Sequence, residues 1–306
     1  MGTIGELGEF GLIGRLTRRL PQASPVLLGP GDDAAVVAAP DGRVAATADL
    51  LVEGRHFRRD WSGPYDIGRK AAAQNLADIA AMGARPTALL VGFAAPLSTD
   101  TAWAERLYDG LADECRAVGA SVAGGDVVGA SEITLAVTAL GDLAGRPPLT
   151  RSGARPGDVV AVRGRLGLSA AGMRLLAEGR DGPAELLLAH RRPQPPYEAG
   201  EEARSLGATA LLDVSDGLVQ DLGHIAAASG VRIDVDSAAL HVPDVLGPDG
   251  LRDVLTGGED HAFAGTFPPA AALPPSWNAV GVVAEGTGVR VDGRPAEGGG
   301  WDHFRP

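Results

Sequence analysis

The feature that most constrains the fold is an alternation of strand-like and helix-like segments that breaks once and then restarts. The break falls at residues 145–149, where the run GRPPL contains two consecutive prolines. Proline interrupts helices and central strands, so this run is typical of a connection. Both halves mix helices and strands. The sequence therefore predicts two α/β (or α+β) domains, residues 1–146 and 147–306.

Apolar periodicity and turn residues predict where the elements lie. In the first half they predict helices over 7–20, 65–82 and 99–118, and strands over 34–39, 43–48, 87–94, 120–123 and 133–140. In the second half they predict helices over 168–178, 197–206 and 218–229, strands over 159–162 and 210–214, and shorter strands near Ile233, Ala262 and Ala279. The helix over 65–82 has the clearest end, because Gly83 and Pro86 follow it.

Charge and cysteine content exclude several classes of protein. The net charge of −12 disfavours nucleic acids and anionic membranes as partners, since their phosphates attract basic surfaces. The single cysteine, Cys115, rules out an internal disulfide and a cysteine-based zinc site. No signal-peptide pattern opens the chain, and its most apolar stretch, 88–97, is about half of a bilayer span. We therefore expect a cytoplasmic protein.

The familiar nucleotide-binding motifs are missing. A P-loop requires Gly-Lys-Ser/Thr, but the only lysine, Lys70, is followed by alanine. No complete GxGxxG run appears, which argues against a Rossmann site and a protein-kinase glycine-rich loop. The run Asp234-Val235-Asp236 resembles a phosphatase nucleophile motif, but the residues after it do not fit. Any ATP chemistry must use another architecture.

What stands out is a set of acidic residues beside glycine or other small residues. The runs are GDD (31–33), TAD (47–49), NLAD (75–78), GGD (124–126), DVSDG (213–217) and GGED (257–260). Taken singly, each acid has a simpler explanation as a turn former or helix cap. As a set, they offer the hard oxygen ligands that Mg²⁺ prefers, and Mg²⁺ can bridge carboxylates and phosphates. The set therefore points to metal-assisted phosphoryl transfer.

These runs, in this order, resemble the thiamine-monophosphate kinase family over nearly the whole chain. The matching stretches are GEFGLIGRL, GPGDDAAVV, ADLLVEGRHF, KAAAQNLADIAAMGARP, GGD, LTRSGARPGD, LLDVSDGLVQDLGHI, GGED and WDHF. The resemblance implies a two-domain aminoimidazole-ribonucleotide-synthetase-like fold. In such a fold the N-terminal domain pairs with a second copy to make a homodimer, and the C-terminal domain closes the nucleotide cleft. It also implies Mg-dependent transfer of the ATP γ-phosphate directly to thiamine monophosphate, with no covalent intermediate.

The resemblance further implies three groups of site residues. The magnesium positions are Asp33, Thr47, Asp49, Asp78, Asp126, Asp213 and Asp216. The ATP contacts are Gly125, Asp126, Arg151, Ser215 and Tyr108. The substrate contacts are His56, Glu259 and Trp301. For His56 a helix-capping role stays open, for Lys70 either a phosphate contact or a structural ion pair, and for Trp301 a role as an aromatic anchor.

The chain departs from the family pattern at Ala48, Val127, Val128 and His261. None of these changes removes a proposed metal carboxylate, but the substrate side of the site can differ. Within the superfamily, selenophosphate synthetase is disfavoured because it needs an N-terminal cysteine or selenocysteine. Aminoimidazole ribonucleotide synthetase and a catalytically silent nucleotide-binding partner remain the alternatives.

Overall fold

A computed structural model describes residues 2–30, 34–296 and 300 of the chain. The described residues form two compact units. The first takes its residues from Met1–Ile79 and Ala84–Arg146, and the second from Ala80–Gly83 and Pro147–Pro306. Each unit combines helices with a mixed sheet, which confirms the predicted α/β class. No helix among the described residues is long and apolar enough to cross a membrane.

The first unit contains helices α1 to α4 and strands β1 to β6. The helices are α1 (Ile4–Leu7), α2 (Glu9–Thr17), α3 (Pro64–Ala81) and α4 (Thr101–Ala117). The strands are β1 (Val26–Leu28), β2 (Val36–Val37), β3 (Ala45–Val52), β4 (Arg85–Ala95), β5 (Ser121–Gly129) and β6 (Thr134–Asp142). In the described residues the main sheet has the order β3-β6-β4-β5, and only the pair β4–β5 in it is parallel.

Helix α3 explains why one face of this sheet is covered. It is rich in alanine, a strong helix former, and none of its residues is exposed. Ala71, Ala72 and Ala73 are fully buried, so the helix backbone approaches its neighbours closely. Helix α4 packs on the same sheet, where Tyr108 meets Phe93 of β4 edge to face. Side chains that point from β3 toward α3 therefore lie in a largely buried layer.

The second unit contains helices α5 to α9 and strands β7 to β13. The helices are α5 (Leu168–Ala177), α6 (Ala184–Arg191), α7 (Ala199–Ser205), α8 (Leu218–Ser229) and α9 (Gly250–Thr256). The strands are β7 (Val159–Arg163), β8 (Ala210–Val214), β9 (Arg232–Val235), β10 (Ala262–Phe267), β11 (Trp277–Ala284), β12 (Gly288–Val291) and β13 (Arg294–Pro295). Their order in the sheet is β13-β12-β9-β11-β7-β10-β8 in the described residues.

Both faces of this second sheet are buried at strands β7, β10 and β8, as their continuous apolar residues suggest. Alternate residues of β10 serve different cores: Ala264 packs in the cluster with α5, α6 and α8, whereas Phe263 packs in the cluster with α7. The edge strand β8 is buried along its whole length, and its last two residues are the first two of the run DVSDG. The sheet thus holds the second set of acidic residues at a rigid strand end.

The sequence patterns predict most elements, with three corrections. The predicted helix 7–20 is the shorter α2, Glu9–Thr17, and it is separated from α1 by Gly8, which takes a left-handed φ of 74°. The predicted strand 34–39 is only Val36–Val37. Helix α6 lies outside the predicted segments, and so do α9 and the short strands β12 and β13. In α6, Pro183 stands just before the first turn, a position that proline tolerates, rather than marking a loop.

Candidate active site

In the first unit, strand β3 and helix α3 bring together four oxygen-bearing residues, which we call the strand–helix oxygen group: Thr47, Asp49, Asn75 and Asp78. Thr47 Oγ1 donates a hydrogen bond to Asp78 Oδ2 at 2.7 Å. Asn75 Oδ1 accepts from the backbone N–H of Asp49 at 3.1 Å. Thr47 and Asp49 are two residues apart on the strand and so share its helix-facing side. Three predicted metal positions, Thr47 and Asp49 of β3 and Asp78 of α3, therefore lie where the strand and the helix face each other.

Asn75 fixes the spacing within this group. Its side chain is fully buried, and its Nδ2 donates to the carbonyl of Ala71 one turn earlier at 2.9 Å. With both ends of the amide engaged, the side chain has a single orientation. The sequence marks Asn75 only as a neighbour of Asp78 on a helix face. In the structure, the Asn75 side chain links strand β3 to helix α3.

His56 and Lys70 form a second contact in this unit. His56 Nδ1 accepts a hydrogen bond from the backbone N–H of Val52 at 3.0 Å, and its carbonyl accepts from Lys70 Nζ at 3.1 Å. Lys70 is only 2% exposed. The turn after β3 is thus stabilised by the imidazole of His56 and by the ammonium group of Lys70 on α3. This geometry supports a structural role for both side chains and leaves a phosphate contact of His56 as a prediction.

Strand β5 places Gly125 and Asp126 at the edge of the sheet beside a cavity of about 860 Å³. Tyr108 lines the same cavity, together with apolar residues of α2. Burial, and then the nearby Asp126 carboxylate, raises the pKa of Tyr108, so the phenol keeps its proton at neutral pH. A Cβ atom at Gly125 would overlap the carbonyl oxygen of Val91 on β4. Three predicted ATP contacts therefore surround one cavity, and glycine is required at one of them.

In the second unit, Asp213 lies at the end of β8 and is paired with a histidine. His261 Nδ1 stands 3.0 Å from Asp213 Oδ2, and both side chains are buried. A carboxylate only accepts hydrogen bonds, so Nδ1 carries the proton in this contact. His261 is one of the positions where the chain departs from the family pattern, and it contacts a predicted metal position directly.

The GGED run folds into a loop, residues 257–261, which we call the acidic loop. Glu259 has a left-handed φ of 63° and His261 one of 53°, conformations that non-glycine residues rarely adopt. The backbone N–H of Glu259 donates to the carbonyl of Ser215 at 2.7 Å, and that of His261 to Val214 at 3.0 Å. The acidic loop therefore lies against the DVSDG run, which brings Glu259 close to Ser215.

Two buried carboxylates that are not among the predicted site residues hold these segments in place. Asp260 accepts hydrogen bonds from the N–H groups of Gly167 at 2.6 Å and Ser169 at 2.8 Å. Asp221 Oδ2 accepts from the N–H groups of Asp216 at 3.0 Å and Gly217 at 3.1 Å. An acid in the first turn of a helix is the signal that identifies Asp221.

Burial raises the pKa of both carboxyl groups. For Asp260 burial is the main cause, and the pKa rises to about 7. For Asp221 burial is again the main cause, assisted by the charges of Asp216 and Asp213, and the pKa also rises to about 7. Two acids that titrate near neutral pH therefore support the segments that carry the predicted site residues.

The remaining predicted residues are not brought into these groups. Arg151 is exposed, and its carbonyl accepts a hydrogen bond from Ser229 Oγ at 3.1 Å. Asp33 and Trp301 lie outside the described residues. Among the residues that are described, no group of three or more acidic, histidine or cysteine side chains is arranged to hold a metal ion. A complete metal site is therefore not preformed by this part of the chain alone.

Comparisons with known proteins identify the class and then the family. Residues 31–143 match the family model of the AIR synthase related protein, N-terminal domain, so the fold is of this class. The thiamine-monophosphate kinase of Mycobacterium tuberculosis H37Rv is 50% identical, covering 99% of this chain and 93% of its own. The chain belongs to the thiamine-monophosphate kinase family.

Solved structures agree with this assignment. The crystal structure of thiamine-monophosphate kinase from Stenotrophomonas maltophilia K279a is 35% identical, with a TM-score of 0.83 over 93% of this chain and 96% of its own. The structure of AaThiL complexed with AMPPCP and TMP is 34% identical, with a TM-score of 0.81 over 98% of both chains. The likeness thus extends over both units.

Proposed function

We propose that the chain transfers the γ-phosphate of ATP directly to thiamine monophosphate, giving thiamine diphosphate and ADP, and that it does so in the cytoplasm with Mg²⁺. The observation that carries the proposal is the strand–helix oxygen group in a chain with full-length similarity to thiamine-monophosphate kinases. One such relative was solved with an ATP analogue and TMP together. A kinase that acts on a phosphate must bring two polyanions together, and this chain supplies carboxylates for cations that would neutralise them.

The residues present fit Mg²⁺ in their chemistry. The donors are carboxylate and hydroxyl oxygens, which are hard ligands, and no thiolate lies among them. We propose that the ions are held by Asp33, Thr47, Asp49, Asp78, Asp126, Asp213 and Asp216. Because few of these side chains converge by themselves, phosphate and water oxygens would complete the coordination, as is usual for this ion. When bound, Mg²⁺ supplies charge neutralisation of the phosphates.

The side chains of this chain orient the reactants. We propose that ATP is contacted by Gly125, Asp126, Tyr108, Arg151 and Ser215. Arg151 offers a planar fork of donors that matches phosphate oxygens. The phenol of Tyr108 is neutral at neutral pH and can donate a hydrogen bond. The nucleophile is a phosphate oxygen of thiamine monophosphate: the new P–O bond forms as the bond to the ADP oxygen breaks, and no protein atom becomes covalently attached.

The acceptor side is proposed to involve His56, Glu259 and Trp301. Glu259 accepts a hydrogen bond from the exocyclic amine of the aminopyrimidine, and the indole of Trp301 stacks on a cationic ring. Trp301→Ala should raise the KM for thiamine monophosphate roughly tenfold and leave that for ATP unchanged. If Trp301 is only an anchor for the C-terminus, the Tm falls instead and both KM values stay put.

We also propose that the chain acts as a homodimer. The face of the first sheet opposite α3 exposes apolar side chains on strands β3 and β4, which both pair with β6, among them Leu50 at 57% and Leu90 at 37%. An apolar face of this kind is normally covered by another protein surface. Sedimentation equilibrium should give a dimer for the wild-type protein and a monomer for Leu50→Glu. A monomeric wild-type protein would contradict the proposal.

The function is tested by supplying Mg-ATP with either thiamine monophosphate or thiamine and identifying the products by mass spectrometry. We expect thiamine diphosphate from the monophosphate and no phosphorylation of thiamine, since the acceptor's own phosphate provides the nucleophile. Conversion of thiamine to its monophosphate would contradict the direct mechanism. So would a phosphorylated protein intermediate that is competent to form the product.

A further inference from the structure

A buried histidine in the second unit contacts the acidic loop from outside it. His190, at the end of α6, is 3% exposed. Its Nδ1 lies 3.5 Å from Glu259 Oε2 and 3.3 Å from Ser169 Oγ. The Glu259 side chain is 33% exposed and is therefore half-buried beside the histidine. A residue of α6 thus reaches a proposed substrate contact.

The chemistry of the contact determines which nitrogen of His190 carries a proton. An ionised carboxylate has only acceptor sites, so the 3.5 Å approach of Glu259 Oε2 to His190 Nδ1 is favourable when Nδ1 bears hydrogen. Ser169 Oγ, on the same side, can also accept from that hydrogen or direct its own elsewhere. The arrangement holds the imidazole ring in one orientation and presents a donor to Glu259 Oε2.

The backbone leaves Glu259 little freedom, so its side-chain direction depends on such a partner. The acidic loop is fixed by Asp260, which accepts from two N–H groups at the start of α5, and by the bond from Glu259 N to Ser215 O. Ser169, at the start of α5, therefore serves twice: its N–H holds Asp260, and its hydroxyl contacts His190. The left-handed φ of Glu259 is strain of the kind that functional sites retain.

We propose that His190 is a positioning residue for acceptor recognition: its Nδ1 faces Glu259 Oε2 and orients the carboxylate that accepts a hydrogen bond from the aminopyrimidine of thiamine monophosphate. This inference rests on the proposed function, in which Glu259 contacts the acceptor. His190 itself touches no substrate. Its effect therefore appears in the affinity for thiamine monophosphate and not in that for ATP.

The test uses the full-length protein and five variants: His190→Leu, His190→Asn, Ser169→Ala, Glu259→Gln and the double variant His190→Leu/Glu259→Gln. His241→Leu is the matched control, because it makes the same change at an exposed histidine. The measurements are both KM values, kcat, the Tm and the calorimetric Kd for thiamine monophosphate without turnover. The conservative variant is asparagine, because its amide nitrogen can occupy the place of Nδ1.

We expect His190→Leu to raise the KM and Kd for thiamine monophosphate roughly tenfold and to leave the KM for ATP within about twofold. His190→Asn should recover most of this loss, and Ser169→Ala should show a smaller loss in the same direction. The double variant should be no worse than Glu259→Gln alone, because both changes disrupt the same contact.

Multiplicative losses in the double variant would overturn the proposal, as would an unchanged acceptor affinity in folded His190→Leu. If His190→Leu does not fold, His190→Asn and Ser169→Ala decide the matter by the same readouts. Wild-type protein that neither binds nor phosphorylates thiamine monophosphate would instead refute the proposed function itself. The failures of the two proposals are thus distinguishable.

Discussion

The two units hold their predicted site residues by different means. In the first unit, Thr47, Asp49 and Asp78 sit on a strand and a helix, and their bonding partners are a hydroxyl and an amide. In the second, Glu259 sits in a loop with a left-handed backbone, and its partner is a histidine. Regular elements fix positions through many shared bonds, whereas a strained loop depends on a few specific ones. Substitutions should therefore separate activity from stability in the first unit and couple them in the second.

The largest effect is expected from Asp49→Asn in the first unit. The substitution removes a charge but keeps the size, so kcat/KM should fall by roughly 10²–10³ while the Tm changes little. Asp60→Asn is the matched control, because Asp60 is an exposed acid paired with Arg58. Steady-state kinetics at saturating Mg²⁺ and thermal melts provide the measurement. Near-normal turnover by Asp49→Asn would remove this residue from the metal site.

A stability effect is expected from Asp260→Asn in the second unit. Asparagine has one acceptor oxygen where Asp260 uses two, so one N–H of the α5 start loses its partner, at a cost of about 1–3 kcal/mol at pH 5. Activity should fall as well, because the acidic loop loosens. Asp244→Asn, at an exposed acid, is the control.

The pH dependence of that variant follows from the raised pKa. Folded Asp260 keeps its proton up to about pH 7, whereas the unfolded chain releases it near pH 3.8. The free energy of unfolding of the wild type therefore falls as pH rises through this window, by up to about 1.4 kcal/mol per unit from this group. Denaturant titrations from pH 5 to 8 should show the stability advantage of the wild type over Asp260→Asn falling by up to about 2.7 kcal/mol between pH 5 and pH 7, enough to cancel most or all of it, and constant above about pH 7. A difference independent of pH would contradict the shifted pKa.

The smallest effect is expected from Thr47→Val, which has nearly the same shape but no hydroxyl. The carboxylate of Asp78 loses one donor, so the Mg²⁺ concentration for half-maximal activity should rise a few-fold. Thr47→Ser keeps the hydroxyl and should behave like the wild type. Equal loss in both variants would show that the methyl group, and not the hydrogen bond, matters at this position.

The contrast between the units also explains what could be predicted from sequence. The shared side of Thr47 and Asp49 follows from ordinary strand periodicity, and the shared face of Asn75 and Asp78 follows from helix periodicity. The contact of His190 with Glu259 does not, because it joins the end of one helix to a distant loop. Left-handed backbone at Glu259 and His261 is equally hidden, since neither is a glycine.

Boundaries between elements failed for local reasons. Gly8 splits a helix that its apolar spacing would continue, and the prolines after α6 mask the helix before them. The family resemblance supplied the remaining site residues, which no local pattern distinguishes from turn formers or caps. The overall α/β class was accessible because both halves repeat the same strand-to-helix alternation.

The burial of α3 has a consequence for hydrogen exchange. None of its residues is exposed, so its amide protons should exchange with solvent only when the first unit unfolds as a whole. Asn75 and Asp78 lie on this helix, and their positions are therefore kept as long as the first unit stays folded. Amides of the acidic loop, anchored by few bonds, should exchange through local opening many times faster. The rate of deuterium uptake should therefore report global stability at the amides of α3 and local opening at the amides of the acidic loop.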